Sequence, residues 1–317
     1  MNNFCTLFDK NFLARGMALY QSLLEQRPGF ILWVLCMDDE AYRMLERLGF
    51  TGMRLLRVAE VEDARMLAVK PTRTAVEYCW MFSSALPLYI LEQNPGIDAI
   101  TYLDADMYFY APLDEIFQEF ATSSVLLIPH GFSAEHEHRE KTSGIYNVGM
   151  MTFTNDTNAL EALRWWKDRV IEWCFARFED GKYGDQLYLN DWPARFKGVH
   201  VLKHPGANVA SWNTSRFRFR PDENGFSGIE KTGGQKFRLI FFHFHGLKIY
   251  SDRKGDIRAY PITTYENNIY RHYVGVLDAA YKRIRTIDPS WDYGCAKKLD
   301  ILRKIKHYIT LWLRKKS

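Results

Sequence analysis

The chain has 317 residues, 47% of them hydrophobic and 25% charged, which supplies one large core and excludes a disordered or fibrous protein. No apolar run reaches about 18 residues and "MNNFCTLFDKNF" reads as a first strand, so neither a membrane span nor a signal peptide is expected and the protein is placed in the cytoplasm. The net charge of +4 is uneven: "KKLDILRKIKHYITLWLRKK", residues 297–316, holds eight Lys or Arg against one Asp, which leaves the remainder of the chain acidic.

In chain order, "FCTLF" predicts a strand, followed by a helix from Asn11 to Gln26 with Leu13, Met17, Leu19, Tyr20, Leu23 and Leu24 on its apolar side. "FILWVLCM" is a second strand, closed by Asp38 and Asp39, which can cap a helix through Leu48. "MRLLRV" is a third strand. "AVEYCWMFSSALPLYILEQ" predicts a helix with an interruption at Pro87, and "AITYLDADMYF" a fourth strand. Short, almost wholly apolar strands separated by helices predict an α/β protein with a mostly parallel sheet covered on both faces. Ligands of such sheets bind at the carboxyl ends of strands, where the fourth strand carries Asp104 and Asp106.

In the second half, "VLLIPHGF" and "YNVGMMTF" predict strands and "NALEALRWWKDRVIEWCFARF" a long helix, whose Trp165, Trp166 and Trp173 read as core. "GDQLYLNDWP" predicts a short helix closed by Pro193, and "LIFFHFHGL" a buried strand. The polar stretch 215–236 reads as a long loop or flap. His136 and His138, on a charged segment, read as solvated. The five cysteines lack any paired spacing and read as reduced thiols.

Two patterns carry chemistry. In extended backbone Asp104 and Asp106 project to one side, and paired carboxylate oxygens suit Mn²⁺ or Mg²⁺ bridged to a diphosphate. His243 and His245 flank Phe244 on what would be a shared face, Gly246 permits close backbone approach, and Lys248 adds a cation. In the tail, Leu299, Leu302, Ile305, Ile309 and Trp312 make an amphipathic helix with lysines around it, a pattern suited to an anionic membrane surface. No nucleic-acid module accompanies this basic patch, so nucleic acid is not expected as a partner.

These landmarks resemble the GT-A fold nucleotide-diphospho-sugar transferases, and among them the retaining family 8 glycosyltransferases of the glycogenin and lipooligosaccharide galactosyltransferase type. The resemblance covers roughly residues 3–250, which it implies form one catalytic domain, followed by a helical extension (251–296) and the basic amphipathic tail (297–317). "TLFDKNFLARGMALYQSL" is similar to the family's first strand, nucleotide loop and helix, which implies that Thr6, Phe8, Asp9 and Phe12 surround the base and ribose. "YLDADMYF" is similar to the family's DxD strand, implying Asp106 as a metal ligand and Asp104 as a ligand or ribose contact. "YNVGMMTF" implies that Asn147 and Gly149 line the sugar pocket, and "YGDQLYLN" that Asp185 and Gln186 stand beside the sugar.

In the family's His-Phe-x-Gly segment, His243, Phe244 and Gly246 match and imply His243 as a third metal ligand. Lys248 stands one position earlier than the family lysine, and Ile249 and Tyr250 replace the usual Pro-Trp, which keeps His245 as a rival ligand. The implied reaction is transfer of a hexose or N-acetylhexosamine from a UDP-sugar to a glycan or lipid-linked acceptor, with retention. Competing readings are an inverting transferase, a haloacid-dehalogenase-type phosphatase and a non-catalytic sugar-nucleotide binding protein.

Overall fold

The computed structural model describes residues 2–223, 225–250, 255–257 and 267–296. The amphipathic tail predicted at 297–317 lies outside the described residues. Seven strands form the main sheet in the order β3-β2-β1-β4-β7-β6-β8: β1 (Asn3–Phe8), β2 (Ile31–Cys36), β3 (Met53–Arg57), β4 (Ala99–Leu103), β6 (Val125–Pro129), β7 (Tyr146–Thr154) and β8 (Val199–Val201). Four of its six pairings are parallel, with β7 running against both β4 and β6. This is the predicted mostly parallel α/β sheet.

Strand alternation divides the core into two layers. Phe4 and Phe8 of β1 face one layer, with α1 (Leu13–Gln26) and the C-terminal helix Asn267–Ile287; Cys5 and Leu7 face the other, with the long helices Ala75–Gln93 and Thr157–Glu172. Burial on both faces explains why these strands read as continuous apolar runs. Each fully buried aromatic, such as Phe4, Phe82 or Phe153, is worth about 3–5 kcal/mol against truncation to Ala. Phe244 stacks on Tyr273, so the C-terminal helix belongs to the same core as the sheet. No helix among the described residues is long and apolar enough to cross a membrane.

Helix starts follow local chemistry. The Asp38 carboxylate accepts from the Ala41 amide at 2.8 Å and starts α2 (Asp39–Leu48), and Asp156 accepts from Ala159 at 2.9 Å ahead of Thr157. Thr74 and Glu77 form a reciprocal capping box at the start of the helix Ala75–Gln93. That helix continues through Pro87 without interruption; Ser83 and Ser84 hydroxyls bond back to the carbonyls of Trp80 and Met81 in the turn before the proline. The helix Thr157–Glu172 stops six residues earlier than predicted. There the chain turns so that the Ala176 amide reaches the Glu77 carboxylate at 2.8 Å.

Three further expectations are corrected. Residues 217–238 are a three-stranded antiparallel meander, β10 (Phe217–Asp222), β11 (Gly225–Glu230) and β12 (Lys236–Arg238). The alternation in "FRFR" puts Phe217 and Phe219 on its buried face with Phe226 and Phe237, while Arg218 and Arg220 stay exposed. Pro193 opens a helical turn, Trp192–Arg195, instead of closing one, since its fixed φ suits a first-turn position. "LIFFHFHGL" is not one strand: β13 (Phe241–His243) ends at His243, and β14 (Leu247–Ile249) begins after a turn at Gly246, whose φ is +73°.

Candidate active site

The fourth strand also divides, at the carboxylates. β4 ends at Leu103, residues 104–107 make a turn closed by the Met107 amide on the Asp104 carbonyl at 3.2 Å, and β5 (Met107–Phe109) joins a different sheet as an edge strand beside β13, whose other neighbour is the two-residue β9 (Val209–Ala210). The expectation that alternation in extended backbone aligns Asp104 and Asp106 is therefore corrected. A turn converges them. Antiparallel pairing of β5 with β13 sets His243 opposite Met107, and the Phe244 amide donates to the Asp106 carbonyl at 2.9 Å.

That register brings His243 Nε2 to 3.1 Å from Asp106 Oδ1 and 3.6 Å from Asp104 Oδ2. Ligand atoms of these three residues all lie within 4.8 Å of one another. Two carboxylates and an imidazole form a donor set that fits Mn²⁺ or Mg²⁺. The His243 ring is 2% exposed, Asp106 14% and Asp104 33%, so a cation held by them would face the cleft through the Asp104 side. Tyr102 fixes that side, its hydroxyl donating to Asp104 Oδ1 at 2.9 Å. Gly149 stands behind: a Cβ there would lie 2.8 Å from His243 Nδ1 and 2.6 Å from Asn147 Oδ1, so only glycine lets β7 come this close.

Burial alone would raise the Asp106 carboxyl, but the charge and hydrogen bond of His243 outweigh it and hold Asp106 down to about 2. Burial likewise pushes the His243 imidazole down, and the Asp106 and Asp104 carboxylates override it and lift the ring above the ordinary histidine value. Asp104 is raised by burial and by Asp106, against His243 and Tyr102. The two carboxylates thus favour the charged form of the imidazole.

The cluster lies on the floor of a cleft of about 900 Å³ along the carboxyl ends of β1 to β4. Of the predicted residues, Phe8, Asp9, Phe12, Asp104, Asp106, His243, His245 and Gly246 line it. Asp9 folds its own loop by accepting from the Asn11 amide at 2.9 Å, leaving Phe12 40% exposed at the mouth. His245 is exposed, its ring 5.8 Å from and perpendicular to that of His243, and it is not a member of the three-residue ligand group. The predicted shared face is absent because β13 ends between the two histidines.

Thr6, Asn147, Gly149, Asp185, Gln186 and Lys248 do not line the cleft. Thr6 is buried beneath it, Lys248 is exposed on β14, and the Gln186 amide donates to the Ser143 carbonyl at 2.6 Å. Asn147 Oδ1 accepts from the Gly149 amide at 3.0 Å, and the Asn147 amide group stands 3.4 Å from His130 Nε2. Asp185 is buried next to the helix Ala75–Gln93, where Ser83 Oγ donates to its Oδ2 at 2.6 Å. Its backbone carbonyl accepts from the buried Trp166 indole at 2.8 Å, so that tryptophan is core, as read. Burial lifts the Asp185 carboxyl to about 7; the Ser83 hydrogen bond opposes this and the nearby Asp104 charge adds to it.

The residues missed by sequence reading are mainly on the opposite wall. Arg57, Glu62, Lys70, Arg73, Tyr78 and Trp80 line the cleft, drawn from the end of β3, the segment after it and the first turns of the helix Ala75–Gln93. Their side chains are scattered through helical and loop patterns, and no spacing marks them. Ser83 had one available signal, a Ser-Ser pair inside an otherwise apolar helix.

No protein-family model matches the chain. Two Bacillus subtilis (strain 168) proteins are similar along most of its length. The uncharacterized protein YfnF is 31% identical over 305 residues, covering 94% of this chain and 98% of YfnF. The uncharacterized protein YfnD is 30% identical over 260 residues, covering 81% and 82%. Among solved structures, the galactosyltransferase LgtC in complex with donor and acceptor sugar analogues is 13% identical with a TM-score of 0.50, covering 77% of this chain and 87% of that one. An active-site mutant of LgtC is 10% identical with a TM-score of 0.51, covering 88% and 95%. At this identity the likeness is one of fold, and the fold is GT-A.

Proposed function

Since the chain belongs to the family of Bacillus subtilis YfnF and YfnD and has the GT-A fold, we propose that it is a metal-dependent glycosyltransferase using a nucleotide-diphosphate sugar, with UDP as the nucleotide. One observation carries the reading: Asp104, Asp106 and His243 converge from two distant segments on the floor of a cleft large enough for such a donor. A haloacid-dehalogenase-type phosphatase does not have this fold. Turnover separates a transferase from a non-catalytic binding protein.

In this reading Asp106 and His243 hold the cation with Asp104, which Tyr102 orients. A bound divalent cation would offset the charge of the diphosphate and of the departing nucleotide. Phe8, Asp9 and Phe12, at the end of β1, receive the base and ribose, above Thr6. Asp185 lies buried behind the cleft with its carboxyl raised to about 7; a movement of its segment would bring it to the sugar, where it would donate to a hydroxyl in its neutral form and stabilise positive charge at the anomeric carbon when ionised. Gln186 and Asn147 support the sugar side, and movement of the Gln186 carboxamide away from Ser143 would free it for that role. The acceptor is a glycan or lipid-linked saccharide, attacked with retention, and the segment 297–317 serves as a contact for an anionic membrane.

Calorimetric titration of UDP with and without Mn²⁺, on the native protein and on Asp106→Ala, tests the reading. Binding that requires Mn²⁺ and is lost in the variant is the expected result. Binding indifferent to both the metal and Asp106, or no binding, would sink it. The product anomer by NMR decides retention, and vesicle binding after deletion of 297–317 decides the membrane contact.

A further inference from the structure

We propose that Trp80 is the surface on which the sugar ring of the donor packs, and so a specificity-determining residue of the transfer reaction; this rests on the donor reading above. Trp80 lies in the second turn of the helix Ala75–Gln93, half-buried, and lines the same cleft as Asp104 and Asp106. An indole partly open inside a cleft whose floor is acidic is a large apolar face without a protein cover.

The ring is held from behind. Gly184, with φ +52°, carries the main chain so close that a Cβ there would lie 3.3 Å from the indole Cε3 and 3.4 Å from Cζ3. Tyr183 flanks it, with ring centroids 6.4 Å apart at 43°. The Ser83 hydroxyl lies 2.6 Å from both the Trp80 carbonyl oxygen and Asp185 Oδ2. One helical turn therefore ties the indole and the Asp185 carboxyl into a single unit.

The location suits the sugar rather than the nucleotide. Cys79, adjacent in sequence, feels the charges of Asp104, Asp9 and Asp185 together, so this turn lies among the nucleotide loop, the carboxylate pair and Asp185. A diphosphate that a cation at Asp104 and Asp106 would hold, with its nucleoside toward Asp9 and Phe12, would direct its remaining substituent toward this turn. A pyranose presents a face of C–H bonds and a rim of hydroxyls. An aromatic plane complements that face, and a buried carboxyl close behind complements the rim.

The test compares UDP with UDP-galactose, UDP-glucose and UDP-N-acetylglucosamine, by calorimetry with Mn²⁺, on the native protein, Trp80→Ala and Trp80→Phe. The UDP-sugar that the native protein hydrolyses fastest serves as the readout. In Trp80→Ala the affinity for UDP should stay within about twofold while that for the UDP-sugar falls about three- to tenfold, the range expected for one aromatic contact. Trp80→Phe should recover most of the loss, since it keeps an aromatic face. Equal weakening of UDP and UDP-sugar, or an unchanged UDP-sugar affinity, overturns the inference and makes the indole a structural cover. Failure of the native protein to bind UDP overturns the donor reading itself and this inference with it.

Discussion

Asp106 and Asp185 are both largely withdrawn from water, yet one carboxyl is held at about 2 and the other at about 7. Burial acts on both in the same direction. The difference is the partner: Asp106 has the His243 imidazole 3.1 Å away, with its charged form favoured, whereas Asp185 has a neutral hydroxyl at 2.6 Å and the like charge of Asp104 nearby. The first environment thus favours the charged carboxylate, and the second a proton close to release.

The largest effect should come from removing the imidazole that balances Asp106. His243→Ala leaves Asp104 and Asp106 as adjacent carboxylates without a positive partner. At pH 7 and without divalent metal, urea unfolding should show a loss of about 3–5 kcal/mol, of the size seen when a buried ion pair loses one member. An unchanged midpoint would mean that solvent, not His243, compensates Asp106 and would break the comparison.

Next in size is the pH dependence at Asp185. The folded Asp185 keeps its proton up to about pH 7, whereas the unfolded chain releases it near the ordinary carboxylate value of about 3.9. The unfolded state then binds fewer protons, so stability falls as pH rises through that window and is flat above it. Asp185→Asn should remove this slope, gaining on the native protein between pH 4 and 8 by no more than about 4 kcal/mol. Asp106 predicts the opposite limb: its stabilisation is present above about pH 4 and is lost as pH falls through about 2. Parallel pH profiles for native and Asp185→Asn proteins would contradict the assignment.

Ser83→Ala is a finer probe. It removes the hydrogen bond that opposes burial at Asp185, so the carboxyl should titrate above pH 7, at a cost of about 1 kcal/mol, read from carboxyl carbon shifts in NMR. A downward shift would reverse the stated role of Ser83. Smallest is Tyr102→Phe, which deletes the donor to Asp104 Oδ1. Because Asp104 is a third exposed, water replaces much of the bond, and stability should change by less than about 1 kcal/mol. Mn²⁺ affinity, read by electron paramagnetic resonance, should still fall about tenfold through loss of carboxylate orientation; unchanged affinity would show that the hydroxyl does not orient the ligand.

How far the site was legible follows from the range of the interactions involved. Asp104, Asp106 and His243 were identifiable as residue types because carboxylates and imidazole are costly within apolar strands. Their geometry was not. The turn at 104–107 and the end of β13 at His243 depend on pairing between segments more than 130 residues apart, and that pairing selects His243 over His245. The stretch 215–236 reads as a loop because polar, charged and glycine residues dominate its composition, although the alternation of phenylalanines carries the strand signal. Trp80 and Ser83 gain their positions only from the packing of one helix against the Gly184–Asp185 segment.

The sequence by itself determined the α/β alternation, the succession of β1 to β4 along the chain, the cap at Asp38, and the presence of a paired-carboxylate segment where the fourth strand ends. These depend on short-range hydrogen bonding and on periodicity within single elements. Tertiary structure alone decided which histidine meets the carboxylates, which aspartate keeps its proton, and which aromatic faces the cleft. Those outcomes depend on the distance between groups far apart in the chain and on how much water remains between them, and both quantities come into being only when the sheet pairs and the helices pack.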